Sequence, residues 1–89
     1  MNKNEKLVNK LNTLIYWKRF YYRSIKNHLE ILINTKNKTD DLLIQIKQLE
    51  SDIINFDNEI KEYELILDKI NNGESISKEK AEEILKIGV

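Results

Sequence analysis

The stretch from Leu42 to Ile70, LLIQIKQLESDIINFDNEIKEYELILDKI, decides how this chain folds. Taking Leu42, Ile46, Leu49, Ile53, Phe56, Ile60, Tyr63, Leu67 and Ile70 from it leaves apolar residues at alternating steps of four and three, with no polar residue among them. That spacing is a heptad seam, with Ile46, Ile53, Ile60 and Leu67 at a, the others at d, and a length of about four heptads. One helix cannot cover a stripe on its own surface, so a second helix must lie along it.

The sequence upstream offers that helix. Val8, Leu11, Ile15, Lys18, Tyr22, Ile25, Leu29 and Leu32 repeat the four-three alternation and predict a helix over about residues 4–33. Lys18 is the one polar entry, expected to lay its methylene stem across the seam and carry its ammonium to water. Asn34-Thr35-Lys36-Asn37-Lys38 then has no apolar residue, and Asn accepts turn and left-handed conformations. Thr39 reads as the N-cap of a helix over about 40–71, with Asp40 and Asp41 opposing its positive end and Gly73 stopping it.

Two helices of about 30 residues, joined by about five, must run antiparallel. A turn centred near Lys36 would set Leu29 against Leu42, Ile25 against Ile46, Tyr22 against Leu49, Ile15 against Phe56, Leu11 against Ile60 and Val8 against Tyr63. Arg19 and Lys26 would then flank the seam toward Glu50 and Asp57. A short third helix over about 78–87 follows, capped by Ser77, with Ala81, Ile84 and Leu85 on one face. It can travel only about 15 Å back from the open end, so it is expected to cover Leu7, Leu14, Leu65 and Ile66 and to stop short of the turn. The fold class this predicts is all-α: a long antiparallel two-helix hairpin, coiled-coil-like, with a short C-terminal third helix, in a single domain over 1–89.

Composition narrows the function. Cysteine and proline are absent, which removes disulfides and thiolate chemistry, and the two glycines, Gly73 and Gly88, sit where helices should stop. The longest uncharged run, Leu11–Trp17, is too short for a span of about 18 residues. The charged start lacks the apolar block of a signal peptide, so a cytoplasmic protein is expected. Heavy use of Lys, Asn and Ile is what an A/T-rich genome produces. The net charge of zero hides a division: residues 1–38 hold nine Lys/Arg against two carboxylates, and residues 39–89 hold six against thirteen. Attraction between paired helices explains that division more simply than a polyanion-binding face.

No catalytic constellation emerges. His28 is the only histidine, no second nitrogen or sulfur ligand accompanies it, and Glu59, Glu62 and Glu64 lack the Glu-x-x-His partner of a di-metal bundle. The serines have no base nearby, and no glycine-rich phosphate loop occurs. A non-enzymatic protein without metal or cofactor is therefore expected.

Five of the seven aromatic residues instead crowd into Tyr16-Trp17-Lys18-Arg19-Phe20-Tyr21-Tyr22-Arg23. A helix sends Tyr22 to the seam and Tyr21 beside it, while Trp17, Phe20 and Tyr16 point elsewhere. Aromatics interleaved with Arg compose protein-binding hot spots, which makes Tyr16, Trp17, Arg19, Phe20, Arg23 and Lys26 the candidate partner-binding residues. The same composition serves single-stranded nucleic acid, the alternative reading. Ile31, Ile33, Leu43, Ile44 and Ile54 lie off both seams and are candidates for self-association, as a homodimer or as a larger self-assembling scaffold. The function expected is that of a helical interaction protein that binds, and modulates or inhibits, a partner protein or macromolecular machine. A small phage or mobile-element accessory protein is the expected owner.

Overall fold

In a computed structural model describing residues 3–88, three helices follow one another: α1 (Lys3–Ile33), α2 (Asp40–Asn71) and α3 (Lys78–Leu85). α1 and α2 pack as an antiparallel hairpin, and α3 folds back onto α1 at the open end. The Cα envelope is a rod of 56 × 19 × 18 Å.

The helix ends form where the local chemistry puts them. The Thr39 hydroxyl accepts from the Leu42 N–H at 3.2 Å, and Asp40 and Asp41 occupy the first turn of α2. Asn37 adopts φ 60°, and this left-handed residue reverses the chain between the long helices. At the other end Gly73, at φ +80°, closes α2: its N–H reaches the Ile70 carbonyl and the Glu74 N–H reaches Lys69. That pair of bonds satisfies carbonyls the helix end would otherwise leave open. Ser77 caps α3 by accepting from the Lys80 N–H at 3.2 Å. α3 ends at Leu85, about two residues earlier than its sequence predicts, leaving Ile87 to pack beyond the helix.

The core is lopsided. Leu7, Leu11, Leu14 and Ile15 of α1 cluster with Ile60, Tyr63 and Ile66 of α2 and Ile84 of α3, all in the open half. Leu11 is wholly covered. Toward the turn only Ile46 is fully buried, while Ile25, Leu29, Leu32, Leu42, Leu49 and Ile53 are half-buried. Two layers cannot enclose a helix face that three layers enclose easily. α3 covers Leu7, Leu14 and Ile66 as expected, but Leu65 stays exposed because it lies about a third of a turn round α2 from Ile66.

The pairing register differs from the sequence expectation by roughly a heptad. Tyr21, not Ile15, stacks on Phe56; Tyr22 shares a hollow with Ile60 and not with Leu49; and Arg19 bonds Glu64, two turns beyond Asp57. Apolar layers match equally well after a slip of one heptad, so they do not choose the register. Charge does not choose it either, since the same slip would set Asp52 and Asp57 in the places of Glu59 and Glu64. In the observed alignment Lys18 Nζ meets Glu59 at 2.5 Å, so its ammonium ends on a carboxylate and not simply in water.

Two outcomes test this core. Leu11→Ala should lower unfolding free energy by about 2–5 kcal/mol, whereas Ile44→Ala on the exposed surface should change it by less than about 0.5 kcal/mol, as measured by urea denaturation. Burial raises the Tyr63 phenol above its usual 10.0. The native state therefore holds the proton more tightly than the unfolded chain, and the stability this gives is complete below pH 10 and lost as pH rises through the raised value. Tyr63→Phe should show a shallower alkaline loss of stability than the parent; identical slopes would contradict the assignment.

Candidate functional site

Positions 16, 17, 20 and 21 of α1 fall on successive turns, and the helix carries their rings from its outer face round to the seam with α2. The Trp17 ring stands edge-on to Tyr16 at 5.4 Å and to Phe20 at 5.9 Å, and Phe20 stands edge-on to Tyr21 at 5.8 Å. Tyr21 in turn stacks on Phe56 of α2 at 6.4 Å with 24° between planes. Edge-to-face contacts of this kind are each worth about 0.5–1.5 kcal/mol beyond area burial, so the rings brace one another. They do so while open to solvent: Tyr16 is 65% exposed, Phe20 52% and Trp17 40%.

Beneath the row lies a cleft of about 590 Å³ lined by Leu14, Trp17, Lys18, Tyr21 and Phe56, with Ile87 and Gly88 at one end. Its walls are largely apolar. The one ammonium in it, that of Lys18, sits 5.1 Å from the Phe56 ring centroid and is held by Glu59. A cation over a ring face and beside a carboxylate is doubly satisfied, which leaves the cleft without a free charge on that wall.

The flank toward α2 is polar. Arg19, Tyr22, Arg23 and Lys26 share a hollow of about 490 Å³ with Asp57, Ile60, Lys61 and Glu64. The Arg19 guanidinium is ion-paired with Glu64, and Lys61 with Asp57 at 2.9 Å, a bond that raises the Lys61 pKa. Arg23 and Lys26 make no ion pair among the described residues. They are the cations of the site still open to an anionic group.

The structure therefore brings Tyr16, Trp17, Phe20 and Arg23 onto one surface, with Lys26 at its edge, while Arg19, still exposed, is ion-paired with Glu64 of α2. Tyr16, Arg19, Phe20 and Arg23 border a shallow recess with Asn12 and Ile15. Ile31, Ile33, Leu43, Ile44 and Ile54 are all exposed, and the first four stand near the turn. His28 is exposed. Comparison with models of protein families, with curated proteins and with solved structures finds no match for this chain. The surface has to be read from its own chemistry.

Phe56 and Ile87 are the members that sequence reasoning missed. Phe56 occupies a d position and reads as a core residue; it is half-buried, because the register sets it against Lys18 and Tyr21. Nothing in the sequence marks Ile87, which depends on α3 stopping at Leu85. Trp17 is the only tryptophan, so its emission reports on the cleft. Phe56→Ala should shift that emission to longer wavelength by opening the cleft to water; an unchanged spectrum would show that Phe56 does not support the site.

Proposed function

We propose that this chain is a non-enzymatic helical interaction protein that docks a partner protein on the outer face of α1. Tyr16, Trp17 and Phe20 supply the apolar anchors, and Arg23 with Lys26 supply charge at their edge. The observation that carries this reading is the row of edge-to-face rings held open to solvent on the outside of a long helix. A core has no use for rings in that position. Partially exposed aromatics and arginines are the residues on which interface energy concentrates. Their mutual packing fixes the rotamers before binding, which reduces the ordering cost of association.

The partner's matching surface should be apolar at its centre and acidic at its rim, because the two unpaired cations lie beside the rings. A rigid helical face of this size suits a protein that modulates or inhibits a larger machine by covering one of its surfaces. The owner we infer, a phage or mobile-element accessory protein acting in the cytoplasm, rests on composition alone. Among the described residues no helix is long and apolar enough to cross a membrane.

Nucleic acid is the second reading, and the ion pairs weigh against it. Lys18 and Arg19 are already taken by Glu59 and Glu64, so two basic residues beside the rings are left for phosphates. Replacing Trp17 and Phe20 with alanine should leave the fold intact and remove the specific partners recovered from the native host. Recovery of the same partners by the double variant would take those residues out of the site. Oligonucleotide affinity that falls steeply with salt would replace the protein reading with the nucleic-acid one.

A further inference from the structure

The exposed stripe Leu43, Lys47, Glu50 and Ile54 on α2 has a symmetry the hairpin does not use. Its steps are four, three and four, so the four side chains stand one above another on one face, about 16 Å from end to end. Turned end for end about the midpoint between Gln48 and Leu49, the stripe maps onto itself with charge reversed: Leu43 falls on Ile54 and Lys47 on Glu50. All four are exposed, Leu43 at 45% and Ile54 at 60%.

Neither charge is satisfied among the described residues. Lys47 and Glu50 make no ion pair among the described residues, in contrast to Lys61, which bonds Asp57 one turn apart on the same helix. A lysine N-terminal to its glutamate is also the weaker order for an intrahelical pair. The stripe lies in the turn half, the part that α3 leaves as two layers.

We propose that a second copy of this chain covers the stripe, the two α2 helices crossing antiparallel about a two-fold axis beside Gln48 and Leu49. Leu43 then packs on Ile54 of the second copy and Lys47 pairs with its Glu50, each contact occurring twice, as a closed two-fold interface requires. The contact is bounded by its own chemistry: one turn beyond Leu43 and Ile54 the axis would bring Asp40 opposite Asp57. An interface of about three turns is small, so the dimer forms in a concentration-dependent way. The surface is separate from the aromatic face of α1, and the proposal does not rest on the function proposed for that face.

Sedimentation equilibrium across a concentration series tests it, with circular dichroism as a check on folding. The parent chain should move from monomer to dimer mass as concentration rises. Lys47→Glu sets four carboxylates facing one another and should leave only monomer, as should Glu50→Lys by the opposite sign. The double variant Lys47→Glu/Glu50→Lys restores opposite charges in the same geometry and should recover dimerisation. A parent that stays monomeric throughout, or single variants that dimerise as the parent does, would overturn the proposal. So would loss of the dimer on Trp17→Ala/Phe20→Ala, which would place the contact on the aromatic face.

Discussion

Everything in this molecule depends on the burial of Leu11 and Ile15 against Ile60 and Tyr63, contacts that exist only because the chain reverses between Ile33 and Asp40. Each large side chain fully covered is worth about 1.5–3 kcal/mol, and among the described residues every fully buried side chain but Ile46 belongs to this cluster. α3 adds Ile84 to the same cluster and lends no cover to the turn half. The outcome is a rod with a closed, three-layered end and an open, two-layered one. Both candidate surfaces follow from that asymmetry: the ring row begins where α3 runs out, and the α2 stripe lies where no third layer exists.

Charge adds a second set of links between the helices. The basic first helix and acidic second helix meet in Lys18–Glu59 and Arg19–Glu64, and Lys80–Glu62 ties α3 across to α2 at 2.8 Å. These are exposed or half-exposed pairs of about 0.2–1 kcal/mol each, too weak to hold the fold together. A slip of one heptad would keep leucine against isoleucine and would offer Asp52 and Asp57 to the same two cations, so neither pattern fixes the alignment by itself.

How far the fold was legible in the sequence follows from the range of each signal. Helix boundaries are local events, and Thr39, Gly73 and Ser77 announced them within about two residues. The antiparallel pairing followed from the short connection. Register was not legible, because the heptad pattern repeats and only three-dimensional geometry shows which carboxylate meets Lys18. Leu65 read as covered because its neighbour Ile66 is, and a helix separates the two by about 100°. At the candidate site, the exposure of Tyr16, Trp17 and Phe20 could be read from their angle to the seam. Phe56 and Ile87 could not, since their places depend on register and on where α3 ends.

The most direct check on the account is small-angle X-ray scattering from the chain, extrapolated to zero concentration. The hairpin predicts a maximum dimension near the 56 Å length of the Cα envelope, increased by side chains and hydration, with a cross-section of about two helices. A single helix running unbroken through Asn34–Thr39 would instead extend to about 100 Å with a one-helix cross-section, and that profile would contradict the chain reversal on which the rest stands.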